Sequence, residues 1–469
     1  MNNRSYALDA LRGIAIILMV LSGSIAFGIL PEWMYHAQTP PPTHVFNPEV
    51  PGITWVDLVF PFFLFAMGAA FSFSVKGKIE KGESKLKLVY DALKRGAQLT
   101  FFAIFIQHFY PWVISSPQDI RAWLLSLSCF LLLFPMFMRI PYKIPNYVRI
   151  IIKLSAYVAA FVLLNTITYA NDRKFDPHFS NIIILVLANM ALFGTLIYIF
   201  TAKNRLARIA ILPFIMAVFL GSKIDGSITK AIFDFTPLSW FYKFNYLKYL
   251  FIIIPGSIAG EYLYDWMQTR KNEMPTEKKS SEKISSAVLL VISILLIIGN
   301  VWLLFERFLV VNLLVTTVLL VAGYFVLRKD NSTTIILWRR LFIAGGYLLL
   351  LGLFFEAFEG GIKKDHSTYS YYFVTSGLAF IGLIALNIIC DYYKCLKSTQ
   401  FIIMSGQNPM IAYVCTGLFS IPILNLLKIY PLFHHSGNPW LGFLQGIVMV
   451  SIAVLVTMFF TRIRWFWRS

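Results

Sequence analysis

Charged side chains are scarce in this sequence. Only 14% of its 469 residues are charged, whereas 58% are hydrophobic and 16% are aromatic. Soluble domains carry about 25% charged residues, so the composition excludes an ordinary soluble domain. Apolar runs of about 20 residues, the length that crosses a bilayer, recur along the whole chain. We therefore predict an all-α, polytopic integral membrane bundle with about 10–14 transmembrane helices.

The sequence also lacks the motifs of several enzyme classes. It has no GxGxxG or Walker loop and no HExxH sequence. Its four cysteines, Cys129, Cys390, Cys395 and Cys415, show no metal-ligand spacing. Three of the four lie in or next to apolar runs. This pattern argues against a disulfide framework. We expect neither a metal site nor a soluble, nucleotide-driven mechanism.

The basic residues do not form the patch typical of a nucleic-acid-binding protein. The formal net charge is +18, but Lys and Arg cluster in short loops between apolar runs. That distribution is the positive-inside pattern, which sets the orientation of spans. With about fourteen spans, it predicts cytoplasmic termini in a multi-pass protein of a bacterial-type inner membrane. The expected surroundings are lipid, with no nucleic-acid partner.

The chain is predicted to form one membrane domain over residues 1–469. The first apolar run is too long for a signal peptide and lacks a small-residue cleavage site, so we expect a permanent span. The most polar tract, residues 268–283, is predicted to be a solvated cytoplasmic linker within that domain.

Two histidines and a carboxylate stand where a loop enters a very apolar segment. His36 and His44 precede Asp57, which lies in HVFNPEVPGITWVDLVFPFFLF. A histidine can act as a general base near neutral pH, and a carboxylate can fix its tautomer. Alternatively, Asp57 caps the helix that begins there, and the histidines are loop residues. Spacing alone leaves both interpretations of His44 open and favours the structural one for His36.

A basic patch is predicted at the start of the first span. Asp9 and Arg12, in DALRG, are three residues apart and share a helix face. They could form an ion pair that anchors the span, which spacing alone favours, or Arg12 could bind a phosphate. Lys94 and Arg95, at the start of the third span, would belong to the same patch.

A helix break is predicted late in the chain. Asn408 lies in SGQNP, between Gly406 and Pro409, inside an apolar segment. Backbone groups freed at membrane depth need a cavity or protein partners, so this break is expected to line a site. The polar turn at Glu356 and Glu359 could be a sugar-binding rim, although a hydrated turn is the simpler interpretation.

Several of these stretches together resemble the heparan-alpha-glucosaminide N-acetyltransferase family. The matching segments, in the family's order, are R-x3-LDALRGIAIILMV, a histidine-containing loop, GITWVDLVFPFFLFAMG, IPGSIAGEYL, KKDHSTYSYYFVTSG and SGQNPMIAYV. Members of this family are multi-span enzymes that transfer acetyl from cytoplasmic acetyl-CoA to an amino sugar across the membrane. The resemblance implies an acetyl-CoA-dependent N-acetyltransferase, acting on an amino sugar or glycan on the extracytoplasmic side.

The resemblance also implies roles for individual residues. It favours His44 as the catalytic histidine, with Asp57 as its carboxylate partner and His36 as the second candidate. Acetyl-CoA, the only co-substrate expected, would be held by Asp9, Arg12, Lys94 and Arg95. The amino-sugar acceptor would be bound by Lys364, Ser370, Tyr371 and Asn408. A homodimer is also implied.

Two other functions stay open from the sequence. A membrane O-acyltransferase of cell-surface glycans also begins with LDxLRG, but that family places a histidine about eleven residues after the arginine. This chain has Gly23 there. A non-enzymatic transporter of a sugar or precursor would agree with the broken helix at SGQNP.

Overall fold

The fold is built from long helices. The computed structural model describes residues 4–25, 28, 30–140, 144–272, 280–328, 330–430 and 438–468. Within these ranges no β-strand is formed, and the one β-bridge joins Met138 to Trp467. Eleven helices are long and apolar enough to cross a membrane. The predicted all-α, polytopic membrane bundle is therefore confirmed.

Fifteen helical segments of the described residues are named here in chain order. They are α1 Tyr6–Ser24, α2 Trp55–Glu80, α3 Lys85–His108, α4 Ile120–Phe137, α5 Asn146–Thr166, α6 Ile182–Thr201, α7 Arg205–Gly221, α8 Leu250–Asn272, α9 Ser280–Phe305, α10 Leu309–Arg328, α11 Thr333–Phe358, α12 Tyr369–Tyr392, α13 Gln400–Gln407, α14 Pro409–Leu426 and α15 Pro439–Arg462.

Three of the predicted spans do not reach the length or apolarity of a membrane helix. They correspond to α3, α7 and α8, which are absent from the eleven candidate spans. Helix α7 has 17 residues, α3 opens with the charged sequence KLKLVYDALKR, and α8 ends in QTRKN. The count of eleven lies within the predicted range of 10–14, below the fourteen that were counted along the sequence.

Polar caps fix the starts of the helices that matter for the site. Ser5 caps α1 by accepting a hydrogen bond from the backbone N–H of Leu8, 3.3 Å away. The buried end of α12 adds a second cap, because the Asp391 carboxylate accepts from the N–H groups of Tyr6 (3.2 Å) and Ala7 (3.3 Å). These bonds satisfy donors that a helix start leaves without intrahelical partners. The start of α1 is thereby fixed against α12.

Close helix packing holds α1 against α13. A Cβ atom on Gly13 would lie 1.9 Å from the carbonyl oxygen of Ile402, and one on Gly406 would lie 1.8 Å from that of Asp9. Only glycine permits such an approach, and small residues bring membrane helices together in this way. The contact places the Asp9–Arg12 turn directly beside the break between α13 and α14.

The predicted break at SGQNP is confirmed. Helix α13 ends at Gln407, α14 begins at Pro409, and Asn408 between them is fully buried. The Asn408 side chain donates to the carbonyl of Trp465 (2.9 Å) and accepts from the N–H of Trp467 (3.1 Å). The break therefore holds the C-terminal segment that follows α15.

The predicted linker at 268–283 is described only in part. Its first residues continue α8 as far as Asn272, and its last belong to the start of α9. Residues 273–279 lie outside the described residues. The polar tract is thus at least partly helical at both ends, because helix formation continues into the flanking charged residues.

Candidate functional site

A histidine and a carboxylate meet where α2 begins. The Nδ1 atom of His36 lies 2.6 Å from Oδ1 of Asp57. Only 2% of the Asp57 side chain is exposed, whereas 38% of the His36 side chain is exposed. The carboxylate is thus hidden behind an imidazole that remains accessible. We call His36, Asp57 and the neighbouring Lys364 the histidine site.

The two carboxylate oxygens of Asp57 have different partners. Oδ2 accepts hydrogen bonds from the backbone N–H groups of Thr54 (3.0 Å) and Ala37 (3.3 Å). The Thr54 hydroxyl completes a capping box at the start of α2 and also donates to the carbonyl of Tyr35, 2.6 Å away. Asp57 therefore caps the helix with one oxygen and holds His36 with the other. The two interpretations of Asp57 are compatible.

The expected pairing of His44 with Asp57 is wrong. His44 has a left-handed backbone (φ 50°), and its ring packs edge-on against Tyr35 with centroids 4.5 Å apart. Its Nε2 lies 3.1 Å from the carbonyl oxygen of Gly28. Nearness in sequence suggested His44, but the loop folds back so that Ala37 hydrogen-bonds to Asp57 and brings the adjacent His36 to the carboxylate.

Lys364 completes the histidine site from the loop between α11 and α12. Its ammonium nitrogen lies 3.0 Å from Nδ1 of His36 and 3.7 Å from Oδ1 of Asp57. The loop is bound to the first loop by Asp365, whose N–H donates to the Gln38 side chain at 2.9 Å. Lys363 points elsewhere and pairs with the exposed Glu49 at 2.8 Å. Of the two adjacent lysines, only Lys364 faces the histidine.

Tyr371 and Ser370, which were predicted to bind substrate, lie beneath the site. The hydroxyl of the buried Tyr371 donates to the main-chain carbonyl of Asp57 at 2.8 Å. Ser370 is buried as well, and its N–H donates to the Glu359 carboxylate at 2.8 Å. Glu359 therefore caps α12, which supports the hydrated-turn interpretation of that residue. Tyr371 supports Asp57 from below.

A second feature is a cavity of about 690 Å³ at the end of the bundle where α1 begins. We call it the basic cavity. Seven cationic residues line it: Arg4, Arg12, Lys78, Lys94, Arg95, Lys153 and Arg468. Asp91 is the one acidic residue among the described lining residues, and it pairs with Lys78 at 2.6 Å. The surplus of positive charge suits a ligand with several phosphates.

Three of the four residues predicted to hold acetyl-CoA line the basic cavity, and the fourth, Asp9, does not. Arg12, Lys94 and Arg95 line it, whereas Asp9 lies behind them. Asp9 pairs with Arg4 and, at 3.7 Å, with Arg12. Arg12 also donates to the carbonyl of Gly406 at 3.3 Å. Asp9 thus positions two arginines and does not face the cavity itself.

Arg468 is a cavity residue that the sequence interpretation missed. It follows Trp467, whose N–H bonds to Asn408, and its own N–H donates to the carbonyl of Phe137 at 2.8 Å. Burial, followed by repulsion from Arg4 and Arg139, lowers the pKa of the Arg468 guanidinium. The only sequence signal was the basic-aromatic composition of the last residues.

Asn408 lies at the basic cavity and not at the histidine site. Its neighbours Gln407, Pro409 and Met410 line the cavity, while its own side chain is occupied by Trp465 and Trp467. It therefore orients the segment that carries Arg468. The structure does not bring it together with the other residues predicted to bind the acceptor, which are Lys364, Ser370 and Tyr371.

Helix α2 connects the histidine site to the basic cavity, because Asp57 lies in its first turn and its later residues line the cavity. The cavity extends along α1 to Met19 and along α2 to Phe63. Asp57 lies six residues before Phe63, which corresponds to about 9 Å of helix at 1.5 Å per residue. The end of the cavity near Met19 and Phe63 is lined by apolar residues, whereas the opposite end is cationic. This arrangement suits a long ligand with an anionic end and an uncharged end.

Comparison with known proteins gives a matching family and a relative that aligns over a short segment. An N-acetyltransferase of Mus musculus, heparan-alpha-glucosaminide N-acetyltransferase, is 32% identical over 104 residues, which are 22% of this chain and 14% of the mouse protein. The aligned part is thus far less than two thirds of that relative. The family described as "Domain of unknown function (DUF5009)" matches residues 4–263, or 260 of 469 residues. Since the match covers more than half of the chain, this protein belongs to the DUF5009 family.

Proposed function

We propose that the protein transfers an acetyl group from acetyl-CoA, bound in the basic cavity, to an amine presented at the histidine site. The observation that carries this proposal is an accessible histidine, held by a buried aspartate about 9 Å of helix beyond the end of a cationic cavity. Acetyl-CoA has phosphates at one end and a thioester at the end of a slender arm. The similarity to a membrane N-acetyltransferase supports the same reaction class.

The chemistry follows from the hydrogen bonds of His36. In the tautomer whose Nδ1–H donates to Asp57, Nε2 is the atom that can accept a proton, and it lies 3.3 Å from the Lys364 ammonium. The acceptor nitrogen attacks the thioester carbonyl carbon and loses a proton to Nε2. The new N–C bond forms as the C–S bond breaks, and the departing thiolate of CoA takes up the proton. The products are the N-acetylated acceptor and CoA.

The acceptor in this proposal is an amino sugar or a glycan with a free amine. Lys364 and His36 form the exposed part of the histidine site, and hydroxyl groups of a sugar can accept from the lysine ammonium. The basic cavity would face the cytoplasm of an inner membrane, with both termini on that side, since Arg4 and Arg468 both line it. Termini on one side require an even number of crossings, so an odd number of the helices α3, α7 and α8 would cross in addition to the eleven candidate spans. This orientation agrees with the positive-inside rule, because the cavity collects Lys and Arg from four helices and from the segments before α1 and after α15.

Turnover by purified full-length protein tests the proposal. Acetyl-CoA and glucosamine should give N-acetylglucosamine and free CoA thiol, and His36→Ala should abolish both. The matched control is His178→Ala, since His178 lies 3.0 Å from Asp176 in a separate, exposed His–Asp pair. Unchanged turnover in the folded His36→Ala variant would refute the assignment of His36.

Binding of CoA distinguishes the enzyme from a transporter of sugars. A non-hydrolysable acetyl-CoA analogue should bind the wild-type protein and bind more weakly when Arg12 and Arg95 are changed to Gln. In oriented vesicles, acetyl-CoA should support turnover only from the side that carries the basic cavity. Transport of an amino sugar without any binding of the analogue would favour the transporter instead.

A further inference from the structure

A second cavity, which the transfer reaction does not use, begins next to the histidine site. It has a volume of about 740 Å³ and runs between α1 and α9, over α2 and α12. We call it the lateral groove. On α9 its wall includes Ile298 and Trp302, which are 61% and 60% exposed, so the groove opens at the lipid-facing side of the bundle.

The lining of the lateral groove is apolar over most of its length. Thr54 and Glu306 are the only residues with a hydroxyl or a charge among those that line it. Both lie at the same end, where α2 begins and α9 finishes. From Trp55 to Phe62 the groove follows α2 for about 10 Å at 1.5 Å per residue, which is about a third of the bilayer's hydrocarbon core.

The polar end of the groove adjoins the histidine site through Thr54 and Trp33. The Thr54 hydroxyl lies 3.3 Å from Oδ2 of Asp57, and Trp33 on the rim belongs to the loop that carries His36. Glu306 supplies a negative charge there, which complements an ammonium group. The groove thus joins a hydrocarbon-sized apolar channel to an acidic rim beside an exposed imidazole.

We infer that the lateral groove holds the hydrocarbon chain of a membrane-borne acceptor whose amine-bearing head lies at His36. The inference rests on the proposed acetyl transfer and names its substrate class: an amino sugar attached to a lipid. An anionic lipid head would meet Glu306 unfavourably, and a free sugar would leave the groove unused. A hydrocarbon chain bound in the groove would hold the amino-sugar head next to His36, so the acceptor amine would reach the site from the membrane.

Two acceptors with the same head test this inference. Full-length protein in nanodiscs is assayed with glucosamine and with dodecyl 2-amino-2-deoxyglucoside. We expect kcat/KM to be at least tenfold higher for the dodecyl compound. Gly382→Leu should remove this preference and leave turnover of glucosamine unchanged. A Cβ on Gly382 meets Phe62 at 3.4 Å, an ordinary contact, and the rest of a leucine would extend into the groove.

Matched variants exclude trivial effects of the substitution. Gly299→Leu adds the same side chain to α9 where no atom lies within 4 Å, and it should keep the preference for the chain. Val301→Trp narrows the groove from α9, opposite Gly382 on α12. It replaces Gly382→Leu as the groove variant if that protein does not fold. A preference that survives in both groove variants would overturn the inference, because the chain would then act only by partitioning into the bilayer.

A binding readout separates failure of the inference from failure of the proposed function. A dodecyl 2-amino-2-deoxyglucoside with a diazirine in its chain should label α9 between Ile297 and Phe305, and Gly382→Leu should prevent this. Labelling without any acetyl transfer would refute the proposed function alone. Equal turnover of both acceptors without labelling would overturn the inference alone. Loss of a dimer in Gly382→Leu, with the chain preference intact, would overturn it in favour of an interface between two copies.

Discussion

His36 and Asp57 are 21 residues apart in the sequence, yet Nδ1 of one lies 2.6 Å from Oδ1 of the other. Because the second carboxylate oxygen binds the N–H groups of Thr54 and Ala37, the pair is fixed by the start of α2 itself. The orientation of the imidazole therefore depends on helix capping. This relationship leads to the first of four predictions.

Asp57→Asn should lower kcat by about 10²–10⁴-fold, the range of a positioned general base, and leave the KM for acetyl-CoA unchanged. An amide at this position can hold the wrong tautomer of His36. The amide oxygen would also accept the N–H groups of Thr54 and Ala37 more weakly than the carboxylate does, which should cost about 1 kcal/mol of stability. Steady-state kinetics and thermal unfolding measure the two effects.

Ser332→Ala is the control for the effect on stability. It removes the cap of α11 and should cost stability without affecting kcat. Equal losses of kcat in the Asp57→Asn and Ser332→Ala variants would contradict a role of Asp57 in positioning His36.

Lys364→Gln should raise the KM for the amine acceptor by about tenfold, because its ammonium lies 3.0 Å from Nδ1 of His36, where the proposed acceptor would bind. The adjacent Lys363 is the control. It pairs with Glu49, which is 82% exposed, so Lys363→Gln should change the KM by less than about twofold. Kinetics at varied acceptor and saturating acetyl-CoA make the comparison. If both variants behave alike, Lys364 has no distinct contact with the acceptor.

Arg468→Gln should weaken binding of an acetyl-CoA analogue by about tenfold, as expected for loss of one charge-assisted hydrogen bond. The affinity of the variant for the analogue should also depend less on ionic strength than that of the wild-type protein, since one cation fewer faces the phosphates. Arg464→Gln, in the same C-terminal segment but outside the cavity lining, should bind normally. Titration calorimetry at two salt concentrations gives both quantities. Equal affinities in the two variants would place the phosphates away from Arg468.

Asn408→Ala should destabilise the protein by about 1–3 kcal/mol, because the N–H of Trp467 and the carbonyl of Trp465 lose their buried partner. It should also weaken binding of the acetyl-CoA analogue, since the segment that carries Arg468 is released. Asn165→Ala is the control, because that exposed amide bonds only within α5. In the Asn408→Ala/Arg468→Gln double variant, the two losses of affinity should not add. Additive losses would show that Asn408 acts independently of Arg468.

The sequence predicted the fold class well because the membrane imposes a simple rule on helices. Apolar runs of sufficient length identify spans, and the break at Asn408 was visible because Gly406 and Pro409 flank it. The number of spans was less accurate. Helix α3 is a long helix whose charged first half resembles a loop in a hydropathy count. Two of its cations, Lys94 and Arg95, line the basic cavity.

The candidate site was predicted by residue type and only partly by position. The structure places Asp57 and Lys364 against His36, and it places Arg12, Lys94 and Arg95 in the lining of the basic cavity. Other residues predicted to contact ligands, such as Tyr371 and Asn408, instead support the groups that do. Hydrogen-bonding residues look the same in a sequence whether they face a ligand or the backbone beside it.

The sequence by itself determined that this protein is a helical membrane bundle with a basic end and a loop of histidines next to Asp57. Only the tertiary structure decided which histidine meets the carboxylate and that Arg468 joins Arg12. The physical reason is that hydropathy and charge act locally, along a single helix or loop. Contacts such as those from Ala37 to Asp57 and from Asn408 to Trp467 join distant segments, and they follow from how the chain folds back on itself.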